Sequence, residues 1–484
     1  MNKNLTTIFP TDIGTIHFIG IGGIGMSGIA EILHSLGYKV QGSDISESYI
    51  TERLVKNGIK VFNGHNASNI KGAALVVKST AVKDNNPEII AAQESLIPII
   101  KRSEMLAELM RFKHSIAVSG THGKTTTTSL IAKMFETAGL DPSVVNGGVI
   151  NNKGTNAYMG QGDYLIAEAD ESDGTFIKVP SYVGVITNID PEHMDYYGTF
   201  DNVKGAYLQF IESLPFYGFG VLCIDHPVVR ELSEFITSRK VLSYGIDSAD
   251  ADFRATNINI NELGSTFDVE ISKQYRDFRK LPYSKIEGIV LDMHGRHNVL
   301  NALSAIAIGV EKNFAVDVIK SAFKNFGGVK RRFTYTGVVN GVSIIDDYAH
   351  HPIEICATLN TARGIANLKG SKVIAVMQPH RYTRLEDLFE DFAQSFDDAD
   401  HIIIADVYPA GEDPIEGIDA KALVSRIQEL GKKSVQQLYS PENLAQLINK
   451  LAKNNDLVVL LGAGNVTKWA YDLPKQLQKL KAAA

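Results

Sequence analysis

Residues 114–130 read HSIAVSGTHGKTTTTSL, and this stretch decides the fold class. The apolar run 115–118 suits a strand buried on both faces, and the segment from Lys124 to about Gly139 suits a helix. Between them Gly120, Thr121, His122, Gly123, Lys124, Thr125 and Thr126 make a glycine-containing turn. In such a strand–turn–helix, backbone N–H groups surround phosphate oxygens, the lysine reaches the β and γ phosphates, and the next hydroxyl holds Mg²⁺. The spacing G-x-x-G-K-T is two residues shorter than the general phosphate loop, so placement between strand and helix carries the reading. Downstream, the apolar run 164–167 ends in Glu168-Ala-Asp170-Glu171-Ser-Asp173. Carboxylates this close repel one another unless solvated or sharing a cation. Glu168, first after the strand, is best placed for Mg²⁺, whereas Glu171 and Asp173 read as acids of a solvated turn. After the run 183–187, His193 stands among Asp190, Glu192 and Asp195, a candidate second metal ligand.

Upstream, residues 17–28 read HFIGIGGIGMSG, with Gly20, Gly22 and Gly25 in G-x-G-x-x-G spacing after a strand and before a helix. Glycines there permit the tight turn and let backbone amides approach a pyrophosphate at the positive end of the helix. Asp44 follows Gly25 by 19 residues, where a dinucleotide fold carries its ribose-binding acid. NAD, another nucleotide diphosphate such as a UDP-sugar, or no ligand all fit this motif, which is silent on the base.

The remaining chain repeats the same grammar. Short apolar runs at 16–19, 75–78, 372–377, 401–405 and 457–461 alternate with amphipathic helical stretches, which predicts parallel sheets. Residues 252–291 change to alternating segments, such as 265–272 and 288–293, and predict a small antiparallel patch. The expected class is α/β with three domains, each on a largely parallel sheet, cut at about 112 and 330: 1–112 with the glycine turn, 113–330 with the phosphate loop, and 331–484. Lysine and arginine number 48 against 55 acids, a net charge of −7, so bulk charge gives no reason for a nucleic-acid partner. Residues 16–33 would tempt a hydropathy scan, but five glycines with His17, Ser27 and Glu31 read as strand, turn and helix, so no membrane span is expected. Two cysteines, Cys223 and Cys356, lack metal-ligand spacing and fit a reducing compartment.

Taken together, these motifs resemble the Mur ligases. The resemblance rests on GIGGIGMSGIAEIL at 20–33, SGTHGKTTTTSL at 119–130, EADESD at 168–173 and TNIDPEHMDYYG at 187–198. It continues through GRHNVLNALSA at 295–305, KRRF at 330–333, DDYAHHP at 346–352, QPHRYTR at 378–384 and VYPAGEDP at 407–414. Within that family it implies an ATP-dependent ligase that joins L-alanine to the lactyl carboxylate of UDP-N-acetylmuramate through an acyl phosphate. It further implies a Rossmann-like N-terminal domain at 1–112, a central phosphate-loop ATPase at 113–330 and a Rossmann-like C-terminal domain at 331–484, with ATP and Mg²⁺ as cofactors, a cytoplasmic location, and a monomer or weak dimer. The glycine turn would then hold a UDP-sugar, with Gly20, Gly22, Gly23, Gly25, Met26, Ser27, Asp44, His65, Ser79 and Thr80 lining the site.

The resemblance also assigns roles in the other two domains. Lys124, His193, Arg331 and Arg332 would be catalytic, and Thr125, Glu168 and His193 would hold metal. His297, Asn298 and Asn301 would sit near the adenine, with Asp346 and Asp347 near the ribose or the arginines. Tyr348, His350, Arg381 and Arg384 would bind the amino acid, since a guanidinium makes a two-pronged contact with a carboxylate. One departure is informative. Sister ligases carry a carbamylated lysine where this chain has Tyr207 and Leu208, 14 and 15 residues after His193, and the nearest lysine is Lys204. The alternatives are a ligase that recycles murein tripeptide and, from another class, an NAD-dependent oxidoreductase with an NTPase module. PHRYTR and VYPAGEDP favour alanine over tripeptide.

Overall fold

The strand Thr15–Ile19 turns at Gly20 into the helix Ile24–Ser35, and this strand is the central one of the first of three sheets among the described residues. In the computed structural model, residues 13–79, 81–261, 264–324, 326–432 and 434–483 are described. Thr80, assigned above to the nucleotide site, lies outside the described residues.

The first sheet has five strands in the order Lys60–Asn63, Lys39–Asp44, Thr15–Ile19, Ala73–Lys78, Ile99–Lys101, all parallel. The order reverses beside Thr15–Ile19, and in open parallel sheets such a switch point, at the strand C-termini, is where ligands bind. Ile16, Phe18 and Ile19 are buried here with Val76 and Val77.

The second sheet has ten strands and is built around His114–Ser119, flanked by Val183–Ile186 and Tyr164–Glu168, both parallel to it. Apolar residues fill Val183–Ile186 and Phe219–Cys223, which are buried throughout, as expected of strands covered on both faces. The antiparallel pair Ser143–Ile150 and Thr155–Tyr158 forms one edge, and Phe253–Asn261, Gly264–Ile271 and Lys285–Leu291 extend the other. The alternating segment at 252–291, expected to form a small antiparallel patch, supplies the three strands at this end of the central sheet. The helix Ile24–Ser35 packs against both strands of the antiparallel pair. A Cβ on Gly28 would lie 2.6 Å from the Ala157 Cβ, so glycine is what lets the helix approach this closely. Arg102 crosses in the same direction, its guanidinium 3.1 Å from Asp170.

The third sheet has six strands in the order Thr334–Val339, Val342–Asp347, Leu457–Leu461, Val373–Met377, His401–Ala405, Val435–Leu438. Only the edge pair Thr334–Val339 and Val342–Asp347 is antiparallel. Contacts divide the chain into two compact units, one of residues 1–257, 267–290 and 299–327, the other of 258–266, 291–298 and 328–484. Among the described residues, no helix is long and apolar enough to cross a membrane.

Candidate active site

The phosphate loop forms as its sequence predicts, between His114–Ser119 and the helix Lys124–Thr137. Gly120 and Gly123 have φ of +133° and +82°, and a Cβ on Gly123 would lie 2.7 Å from the Asn301 Oδ1. The loop is clamped from behind by Thr187 and Asn188. The His122 N–H donates to Asn188 Oδ1 at 2.7 Å, and the His122 carbonyl accepts from Asn188 Nδ2 at 3.0 Å and Thr187 Oγ1 at 2.6 Å. The Thr121 N–H is likewise taken by the Asn188 carbonyl. These bonds occupy two of the amides that the sequence reading gives to phosphate. The N–H groups of Lys124, Thr125 and Thr126 open the helix, where no intrahelical acceptor exists and the dipole favours an anion. Asn301 accepts from Thr127 Oγ1 at 3.1 Å, which brings this residue to the first turn of the same helix.

Glu171 departs from expectation. It is buried, not solvated, and its Oε1 accepts from the Lys124 ammonium at 2.8 Å. Lys124 also donates to the carbonyls of Gly120 at 2.5 Å and Thr121 at 3.0 Å. Burial alone would depress the lysine, but the charges of Glu171, Glu168 and Asp170 outweigh it and hold the ammonium protonated. Burial pushes the Glu171 carboxyl up to about 7, against the pull of Lys124 and with the help of Asp170. Its second oxygen, Oε2, is buried without a hydrogen-bond partner among the described residues. Ligand atoms of Glu171, Glu192 and His193 lie within 4.8 Å of one another, and an orphaned carboxylate oxygen in such a group suits a cation. Glu168 forms a separate station, accepting from Thr125 Oγ1 at 2.9 Å and from the Gly147 N–H at 2.8 Å. Asp173 is also engaged, with the Ser103 hydroxyl at 3.1 Å.

At the glycine turn the Gly20 and Ile21 N–H groups donate to the Ser43 carbonyl, and the Gly22 N–H donates to Asp44 Oδ2 at 2.8 Å. Asp44 thus braces the turn itself. Ser79 sits beside Gly20, where an added Cβ would lie 3.3 Å away, and His65 reaches Ser43 Oγ at 3.0 Å. A Cβ on Gly25 would lie 3.0 Å from Arg102 Nη1, so this arginine stands at the start of the helix as well as beside Asp170. Met26 and Ser27 depart from expectation. Both side chains are buried, both amides bond the Gly23 carbonyl, and Ser27 Oγ donates to the Ile24 carbonyl. The helix uses all of these groups.

In the second unit, loops after Val342–Asp347, Val373–Met377 and His401–Ala405 converge at the strand C-termini. QPHRYTR and VYPAGEDP meet there: the His380 ring stacks on Tyr408 with centroids 5.4 Å apart, Arg381 N–H donates to the Tyr408 carbonyl, and Thr383 Oγ1 bonds Glu412. His350 lies 6.1 Å from His380 ring to ring and 5.0 Å from Tyr348, and its Nδ1 is 3.2 Å from Glu354. Burial first, then the charges of His350, Arg384 and Arg381, push His380 down to about 4, so it stands neutral beside the arginines. Arg331 donates to the carbonyls of Gly462 and Ala463 and lies 4.6 Å over the Tyr348 ring. Arg332 lies 5.3 Å from the same ring and 4.0 Å from Glu354. Asp347 accepts from the Phe333 and Ala349 N–H groups, and burial pushes its carboxyl up to about 6 against the pull of Arg332. Asp346 accepts from Thr467 Oγ1 at 2.7 Å. Both aspartates therefore hold the loops around the arginines. His297 and Asn298 belong to this unit, with Asn298 Nδ2 donating to the His294 carbonyl.

Comparison with known proteins is decisive at this point. Residues 15–114 match the catalytic domain of the Mur ligase family, residues 118–309 its middle domain, and residues 331–464 the Mur ligase glutamate ligase domain. The chain belongs to the Mur ligase family. A UDP-N-acetylmuramate–L-alanine ligase of Brucella anthropi is 55% identical over 468 residues, covering 97% of this chain and 98% of that protein. The Brucella ovis ligase of the same name is 54% identical over the same coverage. Among solved structures, UDP-N-acetylmuramate–alanine ligase from Thermotoga maritima aligns with TM-score 0.80 and 27% identity over 97% of this chain and all of its own. A murein peptide ligase of Psychrobacter arcticus aligns with TM-score 0.69 at 24% identity, over 96% and 98% of the two chains, which speaks to fold alone.

Several residues of this Mur ligase gain a place that motif reading did not give them. Asn188 shapes the phosphate loop, Glu171 and Glu192 join His193, Arg102 stands between Gly25 and Asp170, and His380, Tyr408 and Glu412 complete the loop cluster of the third sheet. His380, Tyr408 and Glu412 fall inside quoted motifs, so the signal was present. Arg102 had none. Lys204 pairs with Glu231 at 3.3 Å and Asp201 at 3.9 Å, apart from the Glu171–Glu192–His193 group, and the buried Tyr207 ring packs on Phe176.

Proposed function

We propose that this Mur ligase joins L-alanine to the lactyl carboxylate of UDP-N-acetylmuramate, driven by ATP, in the synthesis of peptidoglycan precursors. The 55% identity to an alanine ligase along almost the whole of both chains carries this reading. The meeting of QPHRYTR with VYPAGEDP supports it further. We divide the labour as 1–112 for the UDP-sugar, 113–330 for ATP and 331–484 for the amino acid. A nucleotide-linked sugar and ATP as co-substrates imply the cytoplasm.

In the first step, a lactyl carboxylate oxygen attacks the γ-phosphorus, the bond to the bridging oxygen breaks, and ADP leaves. The acyl phosphate is then attacked at carbon by the alanine amine, and inorganic phosphate departs as the amide forms. Gathering anionic reactants requires fixed positive charge aimed at the transferring group. The N-terminus of Lys124–Thr137 and the Lys124 ammonium supply it, with Lys124 exchanging its loop carbonyls for phosphate oxygens. Thr187 and Asn188 keep the loop in shape, so the open amides need no rearrangement. Thr125 with Glu168, and Glu171 and Glu192 with His193, are the groups suited to hold Mg²⁺. When bound, Mg²⁺ neutralises phosphate charge and orients the reacting oxygens. Arg331 is tied to carbonyls 462–463, which leaves Arg332 the better candidate to meet phosphate charge. His380, neutral, and the guanidinium groups of Arg381 and Arg384 form the proposed cradle for the alanine carboxylate, with Tyr348 and His350 beside it.

The decisive experiment measures phosphate release with UDP-N-acetylmuramate and ATP when either L-alanine or the murein tripeptide is the amine. Alanine is expected to be much the faster. Faster turnover with tripeptide would overturn the assignment.

A further inference from the structure

Beneath the glycine turn lies a buried polar network in which no motif placed a role. Glu88, in the first turn of Pro87–Glu94, has no exposed surface and is surrounded by donors. Its Oε2 lies 2.5 Å from Ser43 Oγ, 3.4 Å from His17 Nε2 and 3.3 Å from His65 Nδ1. Its Oε1 accepts from Asn69 Nδ2 at 2.6 Å and from the Asn66 N–H at 3.3 Å. A helix N-terminus adds favourable potential for the anion. Burial would raise this carboxyl, but hydrogen bonds from His17, Ser43 and Asn69 prevail and hold it down at about 2. Glu88 is thus an ionised group that only accepts.

Proton counting follows from that. The Ser43 hydroxyl has one proton, and its 2.5 Å approach to a carboxylate directs that proton to Glu88. Ser43 Oγ can then only accept along its 3.0 Å contact with His65 Nδ1, so the imidazole proton sits on Nδ1. The neighbouring ring is set the other way. Gln41 Nε2 donates to His17 Nδ1, which leaves the His17 proton on Nε2, facing Glu88. One carboxylate therefore fixes two histidines in opposite tautomers. The His65 Nε2 is left as a lone-pair acceptor, with the ring partly exposed at the C-terminal end of Lys60–Asn63. Ser43, the hinge of the network, also accepts the Gly20 and Ile21 N–H groups through its carbonyl.

We propose that Glu88 is a positioning residue of the nucleotide site: through Ser43 it fixes His65 as the Nδ1–H tautomer, so that Nε2 accepts a hydrogen bond from the uridine of the UDP-sugar. This rests on the reading that the glycine turn holds a UDP-sugar. The two donors of suitable chemistry on uridine are the uracil N3–H and a ribose hydroxyl.

The test joins a spectrum with a binding cycle. Long-range ¹⁵N–¹H correlation on the full chain with ¹⁵N-histidine, at about pH 8 where an ordinary imidazole is neutral, is expected to show the His65 proton on Nδ1. Calorimetry then compares UDP, N3-methyl-UDP and 2′,3′-dideoxy-UDP, which lacks both ribose hydroxyls. In the unmodified protein one analogue is expected to bind about five- to tenfold more weakly than UDP, the effect of one lost hydrogen bond, and it identifies the donor. Glu88→Gln is expected to weaken UDP by a similar factor and to abolish that discrimination. His65→Gln, whose carbonyl can take the place of Nε2 without choosing a tautomer, is expected to retain the discrimination. Adding Glu88→Gln to it should then cost nothing further. A proton on Nε2 in the unmodified protein, equal binding of all three nucleotides, or undiminished discrimination in a folded Glu88→Gln variant would each overturn the proposal while UDP binding leaves the site reading intact. Failure of the unmodified protein to bind UDP would overturn both.

Discussion

Replacing Lys124 by methionine separates the fold from the chemistry of the phosphate loop. The Lys124 and Glu171 side chains are 14% and 4% exposed and meet at 2.8 Å, so the substitution leaves Glu171 buried without its cation. Breaking a pair of this kind costs about 3–5 kcal/mol while the remaining charge stays ionised. Glu171 has a way out, because burial already pushes its carboxyl up to about 7 with Lys124 present, and losing Lys124 pushes it higher. A carboxyl with its folded value above its unfolded one stabilises the fold at low pH. That stability is lost as pH rises towards the folded value, at about 1.4 kcal/mol per unit. The variant should therefore be destabilised by up to about 3–5 kcal/mol near pH 8 but by about 1.4 kcal/mol less near pH 6, because the unmodified Glu171, at about 7, itself loses about 1.4 kcal/mol over that interval. Urea unfolding without nucleotide at the two pH values measures this, and Glu171→Gln in the same background should flatten the difference. Turnover, followed by phosphate release, should fall about 10²–10³-fold or more at both pH values, because the ammonium is aimed at developing charge. A destabilisation equal at both pH values would refute the buried pair. Turnover within tenfold of the unmodified enzyme would refute the loop's role.

Three further outcomes are expected. Asn188→Ala removes two bonds to His122, each worth about 1 kcal/mol, and should raise the KM for ATP about 10–30-fold with the circular dichroism unchanged. An unaltered KM would remove the clamp from the mechanism. Lys204→Ala breaks only the partly exposed pairs with Glu231 and Asp201, so turnover and its Mg²⁺ dependence should stay within about twofold. A shifted Mg²⁺ requirement would bring this lysine into the metal site. Gly28→Val drives a side chain into Ala157 and should lower stability by about 1–3 kcal/mol in urea unfolding. Ala157→Gly in the same chain should recover part of that loss, and no loss at all would refute the close contact.

The parallel strands with apolar runs, such as Leu457–Leu461, were legible in the sequence because burial on both faces demands an unbroken apolar run. Lys39–Asp44 has no apolar run, because its sequence, KVQGSD, is polar where it meets the glycine turn and the Glu88 network, and only the spacing of Asp44 from Gly25 pointed to a strand ending there. Ser143–Ile150 and Thr155–Tyr158 were hidden by glycines and asparagines that read as loop, although the first also runs parallel to Tyr164–Glu168. In the candidate site, residues that a phosphate loop carries at a fixed spacing could be read directly, and the structure brings them together: the loop glycines, Lys124, Thr125 and Glu168. Residues brought from a distance could not. Glu171 looks like any acid in a polar turn until Lys124 folds over it, and Arg102 owes its place to a contact across 68 residues of chain. Met26 and Ser27 turn inward for a local reason, since the first turn of a helix exposes some groups and buries others.

The close seat of Ile24–Ser35 on Ser143–Ile150 and Thr155–Tyr158 bears on how this enzyme could be recombined. The Asn156 amide caps the arrangement by donating to the Ile24 carbonyl at 2.6 Å, and Gly28 meets Ala157 without room for a methyl group. The segment proposed to hold the UDP-sugar is therefore not an interchangeable cassette, even though its sheet has complete topology. A graft from a relative that ends at residue 112 would carry half of a fitted surface and leave its counterpart behind. To transfer this first sheet and its helices between such enzymes, residues 143–158 must travel with them as part of the same heritable block.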